Sequence, residues 1–213
     1  MTTTAGTTRT MHRSHALDGD ADSLRDLYQG WAEAYDSDVT EDGYVAPLMI
    51  SLLAAQHQDG TGDSRVLDMG CGTGLVGEQL ARLAPVATLV GADLSEEMAE
   101  IARRRDCYDE VAGEIDLNAP LPQDWSGSFD SVICCGTFTN GHVGPERIEP
   151  LLQTARPGGL LTLSVRHGFS AERDFAGAVS DLVSAGSAEL VSEVVNGPYI
   201  REEGADYWCL ART

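Results

Sequence analysis

Residues 66–74 read Val-Leu-Asp-Met-Gly-Cys-Gly-Thr-Gly. An apolar strand runs into a glycine turn with an acid, Asp68, at its mouth. Gly70, Gly72 and Gly74 allow backbone to approach a ligand closely, and they permit the tight turn itself. A second apolar run, Ala87–Ala92, ends in Asp93, nineteen residues after Gly74. A carboxylate at the end of a second strand accepts hydrogen bonds from a ribose diol. Together the two segments describe a nucleoside ligand that lays one part on bare backbone and offers hydroxyls to an acid.

The spacing narrows the ligand. The dinucleotide fingerprint is Gly-x-Gly-x-x-Gly, whereas here Leu75 stands where the third glycine would be. Asp68 would repel a pyrophosphate but suits a cation. A phosphate-cradling Gly-Lys-Ser/Thr loop is impossible in a chain without a single lysine. The glycines alone leave any nucleotide-binding α/β domain open. With the acids and their spacing, the residues resemble the class I S-adenosylmethionine-dependent methyltransferases. That resemblance implies that Asp68, Gly70, Cys71, Gly72 and Gly74 hold the methionine end of the cofactor and that Asp93 holds the ribose.

The elements that must position these groups alternate. Residues 1–22 read as a flexible lead-in and 23–213 as a single domain. Helical spacing of Leu24, Leu27, Tyr28, Trp31 and Tyr35 begins near Ser23 and is broken by Asp42-Gly43. A second helix carries Leu48, Leu52 and Leu53. Then come a strand over 65–69, a helix over 75–84 stopped by Pro85, and a strand over 87–92. Ser95 is a candidate cap for a helix reaching about residue 105. Strands follow near 109–115 and 129–135. A fourth helix of this series opens at Pro145 and is ended by Pro157-Gly158-Gly159. A strand over 160–165 and a helix over 171–185 follow, and two closing strands, 189–195 and 206–211, flank an Asn196-Gly-Pro198 loop.

Unalternated apolar strands separated by helices predict a parallel sheet covered on both faces. The last two strands have no helix between them, so one must run antiparallel. The expected fold is α/β: a Rossmann-like, doubly wound, seven-stranded, mostly parallel sheet with an antiparallel C-terminal strand. The resemblance extends over about residues 25–211, and the N-terminal helices of that family cap the cofactor site. Tyr28-Gln-Gly-Trp31, Tyr35-Asp36-Ser-Asp38-Val39, the loop Gly136–Pro145 and Arg156-Pro-Gly-Gly159 resemble the small group related to the Williams–Beuren-region methyltransferase-like protein.

In an open parallel sheet, ligands bind beyond the C-terminal strand ends where strand order reverses. The loops after Met69, Ala92, Ile115 and Cys135 are expected to share one pocket. Leu94 adjoins Asp93, and Met98, one turn into the next helix, is positioned either for adenine or for the core. By the resemblance, Asp116-Leu117 meets the adenine amino group; a plain turn aspartate is the other reading. Tyr35 is a candidate for the methionine end, since an aromatic face suits a sulfonium. His142, on the loop after the fourth strand, is the first candidate general base and His167 the second; both also read as structural histidines.

The formal charge is −20, from 34 acids against 14 arginines. It disfavours nucleic acid and anionic membrane as partners. Arg103-Arg104-Arg105 is expected to be a solvated helix end. An odd count of five cysteines without Cys-x-x-Cys indicates neither a disulfide framework nor a zinc site, so no metal is expected. The N-terminus shows no signal-peptide pattern, and the apolar stretch Val45–Ala55 is too short to span a bilayer. A cytoplasmic location follows, and the lysine-free, Ala/Gly-rich composition suggests a GC-rich bacterial genome. The acceptor is expected to be a small molecule, its pocket completed by the N-terminal helices, the closing hairpin or a second subunit of a homodimer. The rival functions are a non-catalytic cofactor-binding protein and a NAD(P)-dependent oxidoreductase.

Overall fold

The computed structural model describes residues 21–57, 62–84, 86–138 and 143–213, with side chains from residue 31 onward. Residues 1–20 of the expected lead-in, the helix-stopping Pro85 and His142 lie outside the described residues, while residues 21 and 22, expected in the lead-in, are already helical.

Seven strands form one sheet: β1 Arg65–Met69, β2 Thr88–Ala92, β3 Glu110–Ala112, β4 Phe129–Phe138, β5 Ala155–Arg166, β6 Ala188–Ile200 and β7 Glu203–Arg212. Their order is β3-β2-β1-β4-β5-β7-β6. β1 pairs in parallel with β2 and β4, and β4 with β5, while β7 runs antiparallel to β5 and β6. This is the expected sheet. Strand order reverses between β1 and β4, which opens a crevice at their C-terminal ends.

The helices are α1 Ala21–Glu41, α2 Ala46–His57, α3 Leu75–Leu83, α4 Glu96–Arg103, α5 Ile148–Leu152, α6 His167–Glu172 and α7 Phe175–Ser184. They leave the sheet with two apolar layers. Leu67, Phe129, Phe138 and Trp208 centre one of them; Ile50, Val66, Leu80, Ile133 and Tyr207 centre the other. β1 is buried along Val66–Met69, as a central parallel strand must be. Ser95 accepts the Met98 amide at 3.2 Å and caps α4 as expected.

Four local expectations are corrected. The helix expected over 171–185 is two helices, broken at Asp174, which takes φ 53° and caps α7 through the Gly177 amide at 3.1 Å. Pro157-Gly158-Gly159 does not end a helix. α5 already stops at Leu152, and the three residues lie inside β5, where the register with β4 shifts. Asn196-Gly-Pro198 is not the closing turn either. It forms a bulge within β6, with Asn196 at φ 51°, because pairing with β7 continues to Ile200↔Glu203. β3 ends at Ala112, short of Ile115, whose amide instead bonds the Asp93 carbonyl at 2.9 Å.

Candidate active site

The glycine turn after β1 is anchored from both sides. The Gly70 and Cys71 amides donate to the Ala92 carbonyl at 2.7 and 2.9 Å, tying the turn to the end of β2. A Cβ on Gly70 would collide with the Thr137 side chain from β4, so the turn also abuts the next strand. Gly72 differs. It takes φ +54°, and a Cβ built there meets no protein atom within 4 Å. The crest of the turn is bare backbone facing open space.

Asp93 closes this arrangement. One carboxylate oxygen accepts the Gly72 amide at 2.7 Å and the other accepts the Ser95 amide at 2.9 Å. The acid thus reaches from the end of β2 to the crest of the turn and keeps further lone pairs for a ligand. Burial raises its pKa, against the amides of Ser95, Gly72 and Leu94. Asp116 lies one strand further. Its Oδ1 accepts the Asn118 amide at 2.8 Å, an Asx turn, and Leu117 is buried in the core while its carbonyl accepts Arg147 Nε at 2.5 Å. Leu94 is half-buried beside Asp93 and Met98 is 2 % exposed.

Asp68 is the most unusual group. Its side chain is 0 % exposed; Oδ2 accepts the Tyr108 hydroxyl at 2.6 Å, and Oδ1 is buried with no partner. Desolvation, opposed by the Tyr108 bond and aided by the charge of Asp93, pushes its pKa up to about 7. A buried carboxylate oxygen without a donor is costly. The arrangement is suited to a cationic hydrogen-bond donor.

Three residues of this site escaped the sequence reading. Tyr108 donates to Asp68 and accepts the Gly77 amide at 3.1 Å, with its ring against Gly74, Gly77 and Gly91. Arg105 was expected in a solvated helix end; it is instead 21 % exposed and fully engaged. It bonds the Thr73 carbonyl at 2.5 Å, Glu78 at 2.6 Å, and Asp36 of α1. Arg103 likewise pairs with Glu96 and Glu100. Asp36 also accepts the Thr73 hydroxyl at 2.5 Å. These contacts latch α1 onto the glycine turn. The only advance signal was the position of Asp36 beside Tyr35.

Tyr35 itself stands edge-on to Trp31 at 4.8 Å and packs in a small cluster with Leu75, Tyr44 and Ile200. Within β4, which runs to Phe138 and so past its expected end, Cys135 is buried. Its thiol lies 3.6 Å from the Tyr44 hydroxyl, and burial pushes its pKa up to about 12. Burial also holds the Cys71 thiol above its ordinary range. Neither thiol is therefore poised as a nucleophile. His167 lies apart from this group, on the far side of β4, where its Nδ1 meets Asp206 at 2.8 Å.

Comparison with known proteins bears on this geometry. A methyltransferase-domain family model matches residues 66–159, the stretch from β1 into β5. Human methyltransferase-like protein 27 is 36 % identical over 141 residues, 66 % of this chain and 56 % of that protein. A malonyl-[acyl-carrier protein] O-methyltransferase of Bacillus cereus is 34 % identical over 115 residues, 54 % of this chain and 42 % of its own. The chain spans about half the length of these relatives. Among solved structures, magnesium protoporphyrin IX methyltransferase from Synechocystis PCC 6803 with bound SAM superposes with TM-score 0.59 at 19 % identity, covering 98 % of this chain and 92 % of that one. The last likeness is one of fold.

Proposed function

Given a chain that belongs to the class I S-adenosylmethionine-dependent methyltransferases, we propose that it binds S-adenosylmethionine across the crevice between β1 and β4 and methylates a small molecule. The single observation that carries this reading is the unpartnered, buried Asp68 Oδ1 at the foot of a glycine turn whose crest, at Gly72, is bare backbone. A cofactor with a cationic amino group satisfies the first, and its close approach explains the second.

In this reading Asp68 takes the amino group, while Gly70, Cys71, Gly72 and Gly74 present backbone to the methionine end. Asp93 accepts the ribose hydroxyls with the lone pairs that the Gly72 and Ser95 amides leave free. Leu94 and Met98 flank the adenine, and Asp116 and Leu117 border it. Tyr35 and Cys135 wall the sulfonium end. When bound, the cofactor supplies an electrophilic methyl group. The chain's own work is to align an acceptor in line with that methyl and exclude water, which accounts for most of such an acceleration. Where the acceptor keeps its proton, a base is also needed; His142 and His167 are the candidates.

A small acceptor fits the −20 charge, which opposes nucleic acid and anionic membrane. The name of the Bacillus cereus relative adds an O-methyltransferase precedent. Among the described residues, no helix is long and apolar enough to cross a membrane. Titration calorimetry with S-adenosylhomocysteine and with NAD tests the reading. Micromolar binding of the first and none of the second is expected; the reverse order overturns it.

A further inference from the structure

Arg166 is the last residue of β5, and one of its nitrogens has no partner. Nε and Nη2 both donate to Glu203 Oε2, the first at 2.7 Å. Nη1 is buried, and among the described residues no acceptor meets it. A guanidinium carries five N–H donors in a fixed fork, so the edge turned to Glu203 leaves the Nη1 edge for a second acceptor. The side chain is only 16 % exposed. A buried charged donor without an acceptor is costly and asks for a reason.

The sheet register says where this side chain stands. Arg166 faces Ala205 across the β5–β7 pair, as Ser164 faces Tyr207. Residues directly opposite each other share a face of the sheet, and so do alternate residues of one strand. Ala205 and Tyr207 belong to the apolar layer that holds Cys135 and Tyr199. Arg166 therefore lies on the face of Cys135. Ser164 links the two strands on that face: its hydroxyl donates to Cys135 Sγ at 3.8 Å and accepts the Gly136 amide at 3.0 Å. Arg166 is two residues further on, about 6–7 Å nearer the C-terminal rim at ordinary strand rise. β4 ends beside it, since Phe138 pairs with Val165.

Glu203 relates the guanidinium to the cofactor side. It pairs with Ile200 at the β6–β7 turn. Ile200 packs in one cluster with Tyr35 and with Leu75, the residue after Gly74. The neighbouring charges have partners of their own. Arg201 bonds the Glu41 carbonyl at 3.1 Å, and His167 Nδ1 lies 2.8 Å from Asp206. Glu202 precedes Glu203 on the turn.

We propose that Arg166 Nη1 binds the acceptor through a carboxylate, so that this chain acts on small carboxylic acids held at the end of β5. The proposal rests on the methyltransferase reading above and names the class of its acceptor. A carboxylate matches the planar fork, and a charge-assisted bond in an enclosed site is strong. Glu203 already balances the guanidinium, and the whole chain carries −20. A singly charged group is accommodated there, whereas a doubly charged phosphate is opposed. The carboxylate is a handle: it fixes where the acceptor lies, and positioning is what methyl transfer asks of the protein.

The test uses the S-adenosylhomocysteine complex of the full chain and three probes: benzoate, its neutral counterpart benzamide, and phenyl phosphate. Calorimetry should find benzoate bound about ten- to a hundredfold more tightly than benzamide, and phenyl phosphate more weakly than benzoate. In isotope-labelled protein, benzoate should shift the Arg166 guanidinium resonance. Arg166→Gln, shown by circular dichroism to be folded, should lose the preference for benzoate over benzamide. Glu203→Gln keeps the arginine and removes a competing charge. It should tighten benzoate about two- to fivefold and leave benzamide unchanged, whereas a salt bridge with a structural role alone would leave both unchanged. Equal binding of benzoate and benzamide, tighter binding of phenyl phosphate, an unmoved Arg166 resonance, or no tightening in Glu203→Gln overturns the proposal. If S-adenosylhomocysteine fails to bind the parent, the methyltransferase reading is what has failed; if it binds and benzoate does not, this proposal alone has failed.

Discussion

Asp68→Asn is expected to strengthen the empty fold and disable the cofactor site at once. The carboxylate is fully buried and its pKa is pushed up to about 7 from an ordinary 3.8. The folded state therefore holds this proton more tightly than the unfolded chain does. The stability that proton contributes is complete below about pH 3.8 and is lost as the pH rises to about 7. A tenfold change in proton affinity is worth about 1.36 kcal/mol, so ionised Asp68 costs the empty protein at most about 4 kcal/mol at pH 8. An amide of the same shape still accepts the Tyr108 hydroxyl and exchanges that cost for the smaller one of a buried, unpaired NH2, about 1–3 kcal/mol. Urea unfolding at about pH 5 and pH 8 should show Asp68→Asn more stable than the parent, with the difference larger at pH 8. Ligand binding must run the other way. A cationic amino group needs the ionised form, so parent affinity for S-adenosylhomocysteine should fall towards tenfold for each step of one in pH below 7, and the variant should lose this dependence along with most of its affinity. A parent affinity flat from about pH 6 to pH 8, or a variant no more stable than the parent at pH 8, refutes the reasoning.

Other perturbations separate the remaining contacts. Gly72→Val places a branched side chain at a positive φ and into the open crest of the turn; calorimetry should find no S-adenosylhomocysteine binding in a variant that circular dichroism shows to be folded. Asp93→Ala removes a charge-assisted bond to the ribose and should cost about 1.5–3 kcal/mol, ten- to a hundredfold in dissociation constant. Asp36→Ala frees α1 from Thr73 and Arg105. Because the network is partly solvated, a loss of only about three- to tenfold in cofactor affinity is expected, together with faster hydrogen exchange across α1.

The chemistry of the β1 turn was legible because it is local: an acid and three glycines lie within seven positions, and Asp93 is set by the next strand's length. The mostly parallel sheet and an antiparallel strand at its C-terminal end were legible from alternation of elements. Side-chain partnerships that bridge distant segments were not. Nothing near Arg105 in the chain announces Asp36 or Glu78, and a tyrosine at position 108 has no periodic neighbour that points to Asp68. Asn196-Gly-Pro198 misled for a physical reason. Turn-forming residues also suit a bulge, and only the length of β7 decides between the two. The same logic hid the break at Asp174, whose side chain both interrupts one helix and caps another.

Tyr108 leaves a mark on how this sequence can evolve. Its ring fills the volume that side chains at Gly74, Gly77 and Gly91 would occupy; a Cβ would lie 2.9 Å from it at the first, closer still at the second, and 3.1 Å at the third. A glycine in the fingerprint is ordinarily credited to the ligand. Here at least Gly74 also answers to a tyrosine that is distant in the chain. Homologues that place alanine or serine at positions 77 or 91 are expected to carry a smaller residue at 108, and to hold the strand-end acid by some other donor. A single substitution on either side of that packing is blocked, so the positions should change as a set, and an alignment would record them as covarying even though none of the three need touch the substrate.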